Sequence, residues 1–247
     1  MSPTASPPLG IEARLRKRGA WFVDRGLEFD RAVDRAPASK AVAANFPVFE
    51  HVRDAVVRME DVVFSDPAAL TLLDELLACA ILVEDGTLAS ASADTDRYLR
   101  GGWLEELIGL AAIDAGADEV RIGQKVGWIA KGFEGENEID TIARFGDRLV
   151  FVSAKALRSR LADGDVRHRE RLMEALQEAD NLVDHFGDPN SAVALVVTTD
   201  LWDERSREPR YEQLHGKAAA LGVRLVTLET VQFESLVDIL RKLGEGR

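Results

Sequence analysis

Residues 136–155 read ENEIDTIARFGDRLVFVSAK, and this stretch decides the fold. It contains two strand-like segments, Glu138 to Ala143 and Arg148 to Ala154. Residues 145–148 separate them with a glycine and an aspartate, which are typical of a tight turn. The stretch therefore predicts a pair of antiparallel strands.

Helical and strand patterns alternate on both sides of this pair. A helix with an apolar face begins at Gly102 and ends at Gly116. The other predicted segments are a strand over Glu119 to Ile129, helices over Val166 to Phe186, Arg210 to Leu221 and Val231 to Leu243, and buried strands over Ala192 to Thr198 and Val223 to Leu228. This order predicts an α/β fold in which helices cover both faces of a mixed sheet.

The region before Gly102 carries a weaker pattern. Apolar residues recur at helical spacing from Pro47 to Met59, and Asp66 followed by a proline begins a second helix. A hairpin over Ala80 to Ala89 is predicted next, with its turn at Asp85-Gly86. Two helices and a hairpin favour a winged-helix-like region. Its second helix has no Lys or Arg, so we interpret the region as a connector rather than a DNA reader.

The chain is therefore predicted to contain three parts. Residues 1–45 form an N-terminal segment of unassigned role, with a short strand over Ala20 to Val23. Residues 46–98 form the winged-helix-like connector, and residues 99–247 form the α/β domain.

Composition limits the class of protein. Of the 247 residues, 46% are apolar, which suffices for a buried core. The 31 basic and 43 acidic side chains give a formal charge of −12, so any nucleic acid must bind a local patch. A single cysteine, Cys79, excludes an internal disulfide. Since neither a secretory signal nor an apolar run of about 18 residues is found, we expect a cytoplasmic protein without a membrane span.

Four polar side chains are expected to meet at the strand pair. Glu138 and Asp140 are two residues apart on one strand, and Ser153 and Lys155 are two apart on its neighbour, so each couple shares a face. Carboxylates suit a hard cation such as Mg²⁺, and a lysine beside it stabilises charge on a phosphate. The pattern favours phosphodiester hydrolysis, although solvated strand ends or a surface ion pair would produce the same pattern.

Two short motifs and one lysine resemble those of a known family. They are LRGGWLEE at residues 99–106, NEID at residues 137–140 and the strand-ending Lys155. With this spacing the chain resembles the C-terminal part of the CRISPR-ancillary CARF-nuclease (Card/Can) family over residues 50–240. In that family, a CARF domain that senses cyclic oligoadenylate precedes a winged helix and a PD-(D/E)XK nuclease.

The resemblance implies a restriction-endonuclease-like PD-(D/E)XK fold and a Mg²⁺- or Mn²⁺-dependent nuclease that acts on DNA or RNA in antiviral defence. Carried over by position, Glu105 is the helix carboxylate near the metal, Asp140 is the metal-binding aspartate and Lys155 is the motif lysine. Residues 1–45 are too short for a sensor domain of roughly 150 residues. We therefore expect the chain to lack that domain.

One position departs from the family pattern. The acid expected two residues before the lysine is Ser153, and a neutral hydroxyl is a poor ligand for a hard cation. Glu138, Glu105 or Glu136 would have to replace the missing carboxylate. Two hypotheses stay open: an active nuclease, and an inactive nuclease-fold module that binds nucleic acid or a partner subunit.

The segment from Lys155 to Arg171 reverses the acidic character of the chain. It has six basic and three acidic side chains, a local charge of +3. We expect its arginines to form a rim that contacts nucleic-acid phosphates. The members of this rim are Arg158, Arg160, Arg167, Arg169 and Arg171. A solvated helix start with pairs of opposite charge is the alternative, and His168 is a further candidate for the rim.

Other kinds of site are disfavoured. A hydrolase dyad of Ser153 and Lys155 lacks a nucleophile elbow and an oxyanion hole, and the sequence has no GxGxxG or GxxxxGK[ST] string. The residues leave open whether the substrate is DNA or RNA and whether the chain forms a homodimer. They also leave open whether residues 1–45 contact a separate regulatory chain.

Overall fold

The structure is a computed structural model that describes residues 9–60, 64–85 and 87–247. Its helices are α1 (Ile11–Arg16), α2 (Phe29–Asp34), α3 (Ala36–Ala44), α4 (Phe46–Arg58), α5 (Pro67–Ala78), α6 (Ala93–Arg97), α7 (Trp103–Asp114), α8 (Val166–Phe186), α9 (Glu212–Leu221) and α10 (Phe233–Glu245). Its strands are β1 (Ala20–Phe22), β2 (Leu82–Asp85), β3 (Thr87–Ser90), β4 (Glu119–Ala130), β5 (Phe133–Phe145), β6 (Arg148–Lys155), β7 (Ala192–Val197), β8 (Trp202–Asp203), β9 (Glu208–Pro209) and β10 (Val223–Val226). Among the described helices, none has the length and apolarity that crossing a membrane requires.

Six strands of the described chain form one mixed sheet in the order β1-β4-β5-β6-β7-β10. Strands β1, β4, β5 and β6 pair antiparallel, whereas β6, β7 and β10 pair parallel. The parallel pairs are joined by α8 and α9, as crossover connections require. The predicted mixed sheet with helices on both faces is therefore confirmed.

Two apolar cores lie on opposite faces of this sheet. The first core contains Phe46, Phe49 and Trp103, whose ring centroids lie between 5.6 and 6.0 Å apart and join α4 to α7. Val152 of β6 belongs to this core, while its neighbour Phe151 belongs to the second core together with the apolar face of α8. Adjacent residues of one strand point to opposite faces, so β6 separates the two cores.

Residues 9–45 take part in both cores and in the sheet. Strand β1 forms one edge of the sheet, where Ala20 pairs with Trp128 of β4. Ile11 of α1 belongs to the second core, and Val42 of α3 belongs to the first. The short strand predicted over Ala20 to Val23 is present, whereas α1, α2 and α3 were not predicted.

The other predicted elements differ from the structure mainly at their ends. Helix α8 has the predicted bounds, and Asp66 caps α5 by accepting a hydrogen bond of 3.1 Å from Ala68 N. Strand β5 begins at Phe133 rather than Glu138. Its residues before Thr141 pair with β4 and have no partner in β6. The β2–β3 hairpin is present, although Gly86 of its predicted turn lies outside the described residues. The winged-helix interpretation and the domain boundaries stay predictions.

Helix α7 packs against the sheet at Gly109. A Cβ atom at this position would lie 2.2 Å from Cδ1 of Ile122 on β4. Non-bonded carbon atoms do not approach so closely. The absence of a side chain at Gly109 therefore allows the observed distance between α7 and β4. The residues of α7 are buried on almost every side, which fixes the helix between the sheet and α3.

We expect Gly109→Ala to lower the free energy of unfolding by about 1–3 kcal/mol, because the added methyl group overpacks the contact with Ile122. Gly216→Ala in α9 is the matched control, since nothing lies within 4 Å of its added Cβ. That substitution should leave stability unchanged or raise it by up to about 1 kcal/mol. Urea unfolding of both variants measures the difference, and equal effects would contradict the packing argument.

Candidate active site

The pairing of β5 with β6 ends next to Asp140. The pairing runs from the turn as far as Thr141 and Val152. Asp140 is the next residue of β5 away from the turn. Its Oδ2 accepts a hydrogen bond of 2.7 Å from Ala154 N and one of 3.3 Å from Ser153 Oγ. The side chain therefore satisfies a backbone amide where a strand carbonyl would otherwise do so, and this bond holds the carboxylate at the strand end.

Strand β5 changes face at the same position. Ile139 and Ile142 belong to the same core although they are three positions apart, an odd number, so the alternation of side chains is broken between them. The sequence pattern alone predicts that Glu138 and Asp140 share a face. In the structure both side chains line one cleft, and Asp140 also reaches β6, where it accepts hydrogen bonds from Ser153 and Ala154.

Gly123 lies opposite Asp140 on β4 and has φ of +55°, a conformation that glycine adopts most readily. A Cβ there would lie 3.1 Å from Leu27 and 3.4 Å from Nη2 of Arg97. The glycine therefore allows the break in β4 and leaves room for the Arg97 guanidinium beside the site.

Lys155 lies between two carboxylates. Its Nζ is 4.0 Å from Asp140 Oδ2 and 3.1 Å from Glu178 Oε2 on α8. Burial lowers the pKa of Lys155, but the charges of Asp140 and Glu178 outweigh it and leave the pKa above its ordinary value. Lys155 is therefore protonated at neutral pH.

Asp140 titrates above its ordinary range. Burial raises the pKa of Asp140, while Lys155 and the bond from Ala154 N lower it, and the net direction is upward. The carboxylate is thus held in a place where its charge is only partly compensated.

Arg97 joins two further carboxylates to the site. Its Nη2 lies 3.0 Å from Glu105 Oε2 on α7 and 3.2 Å from Glu138 Oε1 on β5. Burial and the charge of Asp140 raise the pKa of Glu105 to about 7, although Arg97 opposes this shift. Glu136, also considered from the sequence, takes part in none of these contacts in the described chain.

Carboxylates outnumber cations at this site. Four carboxylates and two side-chain cations meet here, so the charge of these six groups is −2 when all are ionised. Among the residues that the structure describes, no three Asp, Glu, His or Cys side chains converge on one point, since Arg97 and Lys155 lie between the carboxylates. Carboxylate oxygens are the ligands that Mg²⁺ and Mn²⁺ prefer, whereas in this structure Arg97 bridges Glu105 and Glu138.

Two clefts meet at Lys155. The first, of about 350 Å³, contains Asp140, Ser153 and Glu178 together with aromatic side chains of β4 and α8. The second, of about 300 Å³, is lined by Arg97 and Glu105. Lys155 borders both clefts, so both sides of the strand end are open to a ligand.

The structure divides the five arginines of the predicted rim. Arg158, Arg167 and Arg171 line a third cleft of about 460 Å³, together with Arg53 of α4. These three rim arginines are exposed, and none of them forms an ion pair within the described residues. They are therefore available to an anionic ligand.

The other two rim arginines lie elsewhere. Arg160 borders a separate cleft together with Asp200. The guanidinium of Arg169 lies 4.8 Å from the ring centroid of Tyr211 and is half-buried there. His168 is buried, its Nε2 is 3.0 Å from Thr199 Oγ1, and burial lowers its pKa. The five predicted arginines therefore do not form one rim. Three of them share a cleft, and Arg53 is its fourth arginine.

Three residues that contact the predicted site were missed. Glu178 is on the exposed side of α8, Arg97 ends α6, and Arg53 lies on α4, so each reaches the site through tertiary packing. The only local signal is for Glu178, which is an acid on the helix that follows the motif lysine.

Comparison with solved structures identifies the fold. The chain matches protein VC1899 from Vibrio cholerae with a TM-score of 0.71 and 18% identity, over 99% of this chain and 65% of that one. It also matches Can2 from Sulfobacillus thermosulfidooxidans, solved in complex with cyclic tetra-adenylate, with a TM-score of 0.64 and 13% identity, over 97% of this chain and 62% of that one. The chain has the fold of these proteins.

This likeness establishes the fold alone, because the identities are low. The chain spans less than two thirds of the length of either structure. No protein-family model and no curated protein sequence matches the chain. The Can2 match nevertheless agrees with the resemblance carried by LRGGWLEE and NEID.

We expect Glu105→Gln to stabilise the protein at pH 8 in EDTA by about 2–3 kcal/mol. The pKa of this carboxyl rises from its ordinary value of 4.5 to about 7 on folding, so stability falls as pH rises through this window. The gain should shrink to below about 1 kcal/mol at pH 5, where the folded carboxyl is protonated. Urea unfolding at both pH values measures it, with the exposed Glu134→Gln as control. A gain independent of pH would refute the assignment.

Proposed function

We propose that this chain is a divalent-metal-dependent nuclease that hydrolyses phosphodiester bonds in DNA or RNA. The observation that carries the proposal is the position of Asp140, which is anchored by Ala154 N at a strand end, 4.0 Å from Lys155 and beside Glu105. A carboxylate, a lysine and a second carboxylate of raised pKa are the groups that metal-assisted phosphate hydrolysis uses.

Each side chain has a role in this proposal. Asp140 and Glu105, with Glu138, would hold Mg²⁺ or Mn²⁺. When bound, such an ion supplies Lewis-acid chemistry at a phosphate oxygen. Lys155 would orient the scissile phosphate and the attacking water from its position between the two clefts. Arg97 would be released from Glu105 and Glu138 and could pair with a phosphate instead.

Three further facts support this function. The sequence resembles the Card/Can family, the fold is shared with Can2, and the arginine cleft adjoins the site through Ala156 and Leu157, which border both. Phosphate contacts by Arg158, Arg167 and Arg171 would offset the negative charge of the whole chain. A role in antiviral, CRISPR-type defence belongs to the same proposal.

One observation favours a second candidate function, an inactive nuclease-fold module that binds nucleic acid. Ser153 occupies the position of the motif acid, is buried, and donates a hydrogen bond to Asp140. If Glu105 and Glu138 do not replace the lost ligand, Arg97 and Lys155 remain as the permanent partners of the carboxylates.

We expect the wild-type protein to cleave plasmid DNA or single-stranded RNA in Mg²⁺ or Mn²⁺, and Lys155→Ala to lower the rate by about 100-fold or more. Lys242→Ala, an exposed lysine on α10, should retain the wild-type rate. Gel analysis of products over time measures both. Cleavage that survives Lys155→Ala would exclude this site, and cleavage that arises only in Ser153→Glu would favour the second candidate.

Both candidates bind nucleic acid through the arginine cleft. We expect Arg171→Ala to weaken binding and to reduce the slope of log K against log salt by about 0.7–0.9, the value of one phosphate contact. Arg169→Ala should leave the slope unchanged, because its guanidinium packs on Tyr211. Fluorescence anisotropy over a salt series measures the slopes. Equal slopes in both variants and wild type would mean that the arginines are only a solvated surface.

A further inference from the structure

Three aromatic rings lie next to the candidate active site. The ring centroid of Trp128 is 5.8 Å from that of Phe133 and 6.0 Å from that of His185. Phe133 is 67% exposed and His185 is also exposed, although neither the core nor the proposed chemistry uses them. A group of aromatic side chains at the surface indicates a site that binds a ligand or a partner.

The Trp128 ring is held in a fixed orientation. Its Nε1 donates a hydrogen bond of 2.7 Å to Asn137 Oδ1. Gly135 pairs with Trp128 across the strands, and a Cβ there would lie 2.4 Å from Cζ2 of the indole. The indole therefore covers the backbone of Gly135, and its orientation is set before any ligand binds.

Two of these rings share a cleft with the candidate catalytic residues. Trp128 and His185 line the same cleft as Asp140 and Lys155. Beyond Lys155 the second cleft begins, and it adjoins the arginine cleft. The three clefts therefore form a series, here called the groove: the first two share Lys155, and the second and third share Ala156 and Leu157. Its two ends offer different chemistry, apolar ring faces at one and guanidinium groups at the other.

We infer that Trp128, Phe133 and His185 form a nucleobase-stacking subsite, which makes single-stranded nucleic acid the ligand of this groove. The inference rests on the proposed function for its nucleic-acid ligand. Aromatic rings stack on the faces of unpaired bases without regard to sequence, whereas the bases of a duplex are already stacked on one another. The arginines at the other end of the groove match the charge of the backbone that carries those bases.

The test measures binding in EDTA, where a metal-dependent nuclease cannot cleave its ligand. The probes are fluorescein-labelled strands of 12 deoxythymidines and 12 uridines, and one mixed-sequence DNA duplex of the same length. We expect Trp128→Ala and Phe133→Ala each to weaken binding of both single strands about five- to hundredfold. Binding of the duplex should change less than about twofold.

Two variants control for folding and for non-specific loss. Trp128→Phe keeps an aromatic face and should retain most of the affinity for single strands. Trp202→Ala removes a tryptophan that is 40% exposed but lies in β8, outside these clefts, and should change nothing. Because Phe133 is exposed near the tip of the β4–β5 hairpin, Phe133→Ala tests the proposal even if Trp128→Ala does not fold.

The outcomes separate this inference from the proposed nuclease. Equal weakening of single strands and duplex, or no weakening, would overturn the subsite even if metal-dependent cleavage is observed. Selective weakening without any cleavage in Mg²⁺ or Mn²⁺ would support the subsite and contradict the nuclease. If Phe133→Ala instead shifts the protein from dimer to monomer in sedimentation and leaves binding intact, the rings contact a second copy of the chain and the subsite is wrong.

Discussion

The close contact between α7 and β4 at Gly109 is the constraint on which the rest of the structure depends. It places one helix between the sheet and the N-terminal helices, so the two ends of the chain share one core. The first turn of that helix then points two consecutive acids in different directions. Glu105 faces the candidate site, and Glu106 faces the buried Arg35 at 3.2 Å. Removing either partner of such a pair would leave an uncompensated buried charge.

The candidate site follows from the same packing. Because α7 is close to the sheet, Glu105 is half-buried near Asp140, and the pKa of each carboxyl is raised because nearby positive charge does not offset the burial. Stability favours a protonated Glu105, whereas metal binding requires the ionised form. Such an opposition between local stability and ligand binding is typical of functional sites.

The sequence predicted those elements whose signal is local. Helix α8 was predicted at both ends because its apolar stripe lies within the helix itself. Strand β1 has only three residues and pairs with residues more than a hundred positions away, so its place in the sheet has no local signal. For the same reason, the sequence brought Asp140 and Lys155 together across a short hairpin but missed Arg97 and Glu178. Counting charges along the chain could not show that Arg169 packs on Tyr211.

The substitution at Ser153 is therefore best judged from the helices that flank it. An acid at position 153 would lie beside Asp140, whose Oδ2 is 3.3 Å from Ser153 Oγ, and two carboxylates that close need a shared proton or a cation between them. In this chain, α7 contributes Glu105 on one side of the strand end and α8 contributes Glu178 on the other. These two helix carboxylates pair with the two cations of the site, Glu105 with Arg97 at 3.0 Å and Glu178 with Lys155 at 3.1 Å. Under the proposed function, the carboxylates for a metal ion would therefore come from α7 and β5 rather than from β6, and the aromatic rings beside them would favour an unpaired strand over a duplex.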